Sequence, residues 1–188
     1  IPNIRSTLQR IGSRHARWFA VMDLTSGYHQ VKLAKRAQQY SAFITHCGVY
    51  EFLRIPFGMK GSPSFFQQVM ATVVLTGLIY IICEVYLDDI LVYGNDEVEF
   101  VARLAQVFAR FRKHNLKVNP DKTRLGLEEV EYVGHIINQR GITFSTERKE
   151  ATCKIPLPQT MRQLKSFLGL ANYFRDHVRD YAGITREL

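Results

Sequence analysis

The apolar and polar positions of this chain alternate between two periods, and the switches between them mark its elements. Phe19-Ala-Val-Met-Asp23 is a short apolar run ending in an acid, the form of a buried strand whose last residue emerges at an edge. Val31 to Leu33, Tyr40 to Ile44 and Val49 to Leu53 read as further strands. Ser62-Pro63 predicts a helix start, with a hydroxyl N-cap and proline at the first helical position, leading into Phe65, Phe66, Val69 and Met70. Ile79 to Tyr86 and Ile90 to Tyr93 are β-rich runs separated by Leu87-Asp88-Asp89, a hairpin with acids at its tip. Asn95 and Asp96 can cap the helix that follows, whose predicted apolar stripe is Val98, Val101, Leu104, Ala105, Phe108 and Phe111. Asn119-Pro120-Asp121 is a turn. Val130 to Ile137 with Gly141 to Phe144 predicts a second hairpin around Asn138 to Arg140. Thr160-Met-Arg-Gln163 is a capping box opening a helix through Phe174. The order predicts an α+β antiparallel sheet with helices on one face, followed by a smaller appendage.

The 188 residues, 46% of them apolar and 22% charged, have the make-up of an ordinary folded protein rather than a disordered one. The most apolar stretch, Val69 to Cys83, is broken by Thr72, Thr76 and Gly77 and falls short of the roughly 20 residues a bilayer needs, so no membrane partner is expected. Cys47, Cys83 and Cys153 are far apart and lack zinc-finger spacing, which fits a reducing intracellular compartment. The chain opens Ile-Pro-Asn, without an initiator Met, and reads as a piece of something longer.

Net charge is +8 but uneven. Basic side chains outnumber acidic ones seven to one in residues 1–50, are outnumbered seven to two in 51–100, and lead ten to six in 101–150 and six to three in 151–188. Basic flanks around an acidic middle suit a polyanion held beside carboxylate-bound cations.

Adjacent side chains on a strand point to opposite faces, so two neighbouring aspartates can reach one point only where the strand breaks into a turn. Asp88 and Asp89 sit at such a break, and a neighbouring strand can bring Asp23 beside them. An Asp-Asp turn alone is usually conformational. The weight comes from the apolar hairpin, the acidic strand end upstream and the capped helix between. Three clustered carboxylates need a compensating cation, and oxygen-only donors favour Mg²⁺ over Zn²⁺. Two such ions would suit phosphoryl transfer by in-line displacement.

These residues also carry a resemblance. Tyr86-Leu-Asp-Asp89 resembles the Y-x-D-D box of reverse transcriptases, and Phe19 to Gln30 resembles their first aspartate motif. Phe57-Gly-Met-Lys-Gly-Ser-Pro63 is similar to the loop and helix start between the two. Asn119-Pro-Asp-Lys122, Tyr132-Val-Gly-His135 and Phe167 to Phe174 continue it, the last in wording similar to the Ty3/Gypsy branch of retrotransposons. The resemblance implies a polymerase palm with partial fingers over residues 1–128, and a primer-grip hairpin with a small helical thumb over 129–188. It implies that Asp23, Asp88 and Asp89, with the backbone carbonyl of Leu24, bind two Mg²⁺ ions, Mn²⁺ being an alternative. Tyr28 matches the residue whose ring excludes a ribose 2′-hydroxyl. Phe57, Gly58 and Met59 match the segment around the nascent base pair, and Lys122 a lysine that helps protonate departing pyrophosphate. Tyr132, Val133, Gly134 and His135 match the hairpin gripping the primer end. Arg162 and Lys165 lie on a helix that would meet duplex phosphates.

Implied partners are deoxynucleoside triphosphates, an RNA or DNA template with its primer, and other polyprotein domains or a second copy of the chain as a homodimer. The implied location is the cytoplasm, inside virus-like particles, with passage to the nucleus. The family also carries finger strands upstream of the first aspartate, with a Lys and an Arg on the triphosphate; Arg5, Arg10, Arg14 and Arg17 do not match those positions. The expected function is RNA-directed DNA polymerase. The alternative is a non-catalytic remnant that binds nucleic acid or a partner, and Tyr28 disfavours an RNA-dependent RNA polymerase palm.

Overall fold

The computed structural model describes residues 1–186, apart from the side chains of Thr146, Arg148, Lys149 and Asp176. In chain order the elements are α1 Ile4–Gly12, β1 Trp18–Asp23, α2 Lys35–Gln38, β2 Phe43–Thr45, β3 Gly48–Tyr50, α3 Ser62–Val69, β4 Cys83–Tyr86, β5 Asp89–Gly94 and α4 Glu97–Lys113. Then come β6 Arg124–Leu127, β7 Glu129–Tyr132, β8 His135–Asn138, β9 Gly141–Phe144, α5 Thr146–Cys153, α6 Met161–Ala171 and α7 Tyr181–Thr185. The chain divides by packing into Ile1–Ser145 and a smaller unit from Thr146 onward.

In the larger unit, β4, β5, β1 and β6 form an antiparallel sheet in that order. Alternation along β1 and β5 gives the sheet two apolar faces. Ala20, Met22, Ile90 and Val92 meet Phe66 and Met70 of the α3 region and Phe100, Val107 and Phe111 of α4. Phe19, Leu91 and Tyr93 meet Ile11 of α1 together with Val130, Tyr132 and Ile137. Those last three belong to the three-stranded sheet β7-β8-β9. The β7-β8-β9 hairpins, the first part of the expected appendage, therefore cover the second face of the main sheet. Among the described residues no helix is long and apolar enough to cross a membrane.

Several local readings shift. Asp96 caps α4, its carboxylate accepting from the Glu99 N–H at 2.8 Å. The buried side chains of α4 are Phe100, Val107 and Phe111, whereas Val98 and Val101 are 81% and 60% exposed. Gly94 accounts for the rotation: a Cβ there would lie 2.7 Å from Phe100 Cα, so the missing side chain lets the first turn of the helix settle onto the strand end. Ser62 is not the N-cap of α3. Gly61 is, and Ser62 Oγ donates to the Pro56 carbonyl at 2.9 Å, fixing the approach of the preceding loop. The Val31–Leu33 strand reduces to one bridge, Lys32 with Arg54. Tyr132-Val-Gly-His135 is itself a tight turn, because Val133 and Gly134 both have positive φ, 49° and 74°.

In the smaller unit the Thr160–Gln163 capping box forms as expected. Leu164, Phe167, Leu168, Ala171 and Phe174, apolar at helical spacing, are only half-buried, and no described residue of α6 is buried.

Candidate active site

β1 ends and β5 begins at the same edge, so antiparallel pairing sets Asp23 directly opposite Asp89. Opposed Cβ atoms in such a pair lie about 5 Å apart, within mutual reach of two short carboxylates. Asp88 comes from the two-residue turn of the β4–β5 hairpin, closed by the pair Tyr86 and Asp89. Leu87 in that turn has φ 58°, a left-handed conformation that costs a non-glycine residue on the order of 1 kcal/mol. Gln67, a buried residue of α3, offsets it: its Oε1 accepts from the Leu87 N–H at 2.7 Å and its Nε2 donates to the Val85 carbonyl at 3.1 Å. One amide therefore ties the end of β4 to the turn residue that precedes Asp88.

The loop after β1 passes over Asp88. A Cβ on Gly27 would lie 3.2 Å from Phe66 Cζ and 3.6 Å from Asp88 Cβ, so glycine lets that loop approach. Tyr28 follows, with its ring centroid 5.0 Å from those of Phe57 and Phe66. Burial pushes the Tyr28 hydroxyl pKa up, and the charge of Asp88 adds to the rise. Leu24 has a buried side chain and pairs with Val118. Gly58 has φ 88°, and the Met59 carbonyl accepts from the Ser62 N–H at 3.0 Å, so this segment turns into α3. Phe57 is 64% exposed beside Tyr28.

The electrostatics of the edge are unbalanced. Asp89 titrates above the ordinary carboxylate range, through burial first and then the like charges of Asp88 and Asp23; Lys122 offsets this only in part. Lys122 Nζ is 3.4 Å from Asp23 Oδ2. Among the described residues no three acidic, histidine or cysteine side chains are already gathered into a metal cage. The donor chemistry still fits a hard divalent ion: oxygen donors only, on a strand pair that opposes two of them, with an excess of negative charge that a cation would relieve.

The structure brings Asp23, Asp88, Asp89, Tyr28, Phe57 and Lys122 to one region. Tyr132 reaches it from beneath, its hydroxyl donating to the Asp89 carbonyl at 3.4 Å. Tyr132 and His135 are buried, at 2% and 4% exposure, and His135 Nδ1 lies 3.1 Å from the Val133 carbonyl. Neither side chain is on the surface, whereas Val133 and Gly134 between them are half-buried. Arg162 and Lys165 are exposed on α6, in the smaller unit. Gln67 was not singled out in the sequence, and Gly27 stood there only as part of the first aspartate motif, with no role of its own. A glutamine on an apolar helix face and a glycine after Ser26 carry no signal until the turn they serve is known.

Residues 1–137 match the family described as reverse transcriptase (RNA-dependent DNA polymerase). The chain is 38% identical over 188 residues to the retrovirus-related Pol polyprotein from transposon opus of Drosophila melanogaster. It is 36% identical to that from transposon gypsy of the same organism. In both cases all of this chain aligns, with 18% of the relative. Among solved structures it resembles foamy viral protease-reverse transcriptase. The complex with dsDNA gives a TM-score of 0.80 at 27% identity, covering 92% of this chain and 30% of that one. The complex with RNA/DNA hybrid gives 0.73 at 27%, covering 90% and 23%.

Proposed function

We propose, on the premise that this chain belongs to the reverse transcriptase (RNA-dependent DNA polymerase) family and is of the Ty3/Gypsy polyprotein type, that it adds deoxynucleotides to a primer 3′-hydroxyl on an RNA or DNA template. The new bond joins the primer 3′-oxygen to the α-phosphorus, and the bond from that phosphorus to pyrophosphate breaks. The observation that carries this reading is the pairing of Asp23 with Asp89 beside Asp88, at an edge whose charge the protein leaves largely uncompensated.

Asp23, Asp88, Asp89 and the Leu24 carbonyl would hold the divalent ions, Mg²⁺ or Mn²⁺. Such ions, when bound, supply Lewis-acid stabilisation of phosphate charge and ease ionisation of the 3′-hydroxyl. Tyr28, held between Phe57 and Phe66, forms a rigid aromatic wall against a ribose 2′-hydroxyl. Lys122 donates a proton, or a charge-assisted hydrogen bond, to the departing pyrophosphate. The backbone of Val133 and Gly134 contacts the primer, and Arg162 and Lys165 meet duplex phosphates in a salt-dependent way. The relatives' structures in complex with dsDNA and RNA/DNA hybrid support duplex binding here. Because the chain spans 18% of its curated relatives, activity by itself is part of the proposal.

The test is extension of a DNA primer on an RNA template with Mg²⁺, comparing this chain, Asp88→Asn, and a polyprotein segment extended on the N-terminal side. Extension that Asp88→Asn abolishes supports the reading. If neither length extends the primer while both bind the duplex, the chain is a non-catalytic binding remnant.

A further inference from the structure

Gln30 closes the short helical turn Gly27–Gln30 that follows β1. A primary amide offers two N–H donors and an acceptor oxygen, and here all are engaged. Nε2 donates to the Thr25 carbonyl at 2.7 Å and to the Lys117 carbonyl at 2.8 Å, while Oε1 accepts from the Lys117 N–H at 2.7 Å. Thr25 and Lys117 are far apart in sequence, and one side chain joins them.

Around this clamp, residues 117–119 run along residues 23–25. The Thr25 N–H donates to the Lys117 carbonyl at 3.0 Å, the Asn119 N–H donates to the Asp23 carbonyl at 2.8 Å, and Leu24 pairs with Val118. That is a short ladder. The pairing of β1 with β6, on the far side of the loop, shifts register between Phe19 and Val21, so the loop gains little regularity from its exit. Past Asn119 the chain closes on itself, with the Asp121 N–H on Asn119 Oδ1 at 3.1 Å and Thr123 Oγ1 on the Asn119 carbonyl at 2.6 Å. This turn carries Lys122 to Asp23.

We propose that Gln30 is a positioning residue: its three hydrogen bonds register the 117–122 loop against the segment bearing Asp23 and Tyr28, and so deliver Lys122 to the carboxylate edge. The consequence for chemistry rests on the polymerase reading above, whereas the positioning does not. Gln30 acts through Lys122, so removing Gln30 matters only while Lys122 is present.

Gln30→Met keeps the length of the side chain and removes all three bonds; Gln30→Glu keeps an acceptor for the Lys117 N–H and loses both donors. The first readout needs no activity. Reductive methylation of Lys122, followed by mass spectrometry with Lys60 as internal reference, should quicken about threefold in either variant, the scale of a released surface ion pair. Amide exchange at Lys117 and Asn119 should quicken about tenfold, as for one or more lost hydrogen bonds, with the Leu87 amide unchanged. In primer extension, Gln30→Met should lower kcat with little change in the nucleotide KM, and the double variant with Lys122→Met should be no slower than Lys122→Met alone. Unchanged labelling and exchange, or rate losses that multiply, would overturn the assignment. A wild-type chain that fails to extend any primer defeats the polymerase reading instead, and labelling and exchange then decide the role of Gln30 by themselves.

Discussion

Glu84 and Asp89 stand on the two arms of one hairpin, and the fold treats their charges in opposite ways. Glu84 is 0% exposed, on the face that α1 covers. Arg10 of α1 meets it with both forks of the guanidinium, Nε at 3.0 Å and Nη2 at 2.9 Å, and is itself bonded to Thr7 and stacked on Tyr80 at 4.5 Å. The hydrogen bonds to Glu84 raise the pKa of Arg10. Asp89, half-buried at the sheet edge, has no such partner. The like charges of Asp88 and Asp23 act on it, Lys122 offsets them only in part, and the ion pair that Lys122 makes is with Asp23. Where charge serves stability the fold supplies the counterion. At the edge the excess charge fits the cation-dependent phosphoryl transfer proposed above.

The comparison can be broken at either end. The largest effect is expected at the edge: Asp88→Asn or Asp89→Asn should lower Mg²⁺-dependent primer extension by about 10³-fold or more, without loss of thermal stability. Next is the back face. Arg10→Met leaves Glu84 buried without a cation and should cost about 3 kcal/mol in urea unfolding, with the Arg10→Met, Glu84→Leu double variant more stable than either single one. Gly27→Ala comes third, since the added methyl would press on Phe66 Cζ at 3.2 Å, beside Leu24 and Asp88; about 1 kcal/mol is expected, together with slower extension.

The smallest effect is the pH dependence of Asp89. Its folded pKa is raised, so the folded chain binds the proton more tightly than the unfolded chain. Stability from this group is present below the ordinary aspartate pKa and declines as pH rises through the folded value. Asp89→Asn, in the absence of divalent ions, should flatten that decline and be more stable at neutral pH by less than about 1 kcal/mol once solvent screening is discounted. Calorimetric scans between pH 4 and pH 7 check the sign.

Much of this was readable from the chain. The apolar runs on either side of Leu87-Asp88-Asp89 predicted a buried hairpin, and the acid closing Phe19 to Asp23 predicted a second contribution to its tip; both follow from period-two burial and local turn chemistry. The caps at Asp96 and Thr160 were readable because a cap is local. What escaped depends on contacts distant in sequence. Phe100 packs onto Gly94, a contact no periodicity announces; the second sheet face explains why Val130, Tyr132 and Ile137 are core, and the roles of Gln67 and Gln30 exist only once their distant partners are in place. Glu84 is the sharpest case: beside Tyr86-Leu-Asp-Asp89 it looks like one more acid of an acidic middle, and the structure makes it the member with a dedicated cation.

Whether the carboxylate edge holds a cation and the back face does not can be read from Mn²⁺ binding followed by electron paramagnetic resonance, with wild type, Asp89→Asn, Asp23→Asn and Glu84→Gln side by side. Wild type and Glu84→Gln should bind the ion alike, and both aspartate variants should lose most of that binding. Equal binding by wild type and Asp89→Asn, or a loss in Glu84→Gln as large as in the aspartate variants, would contradict this.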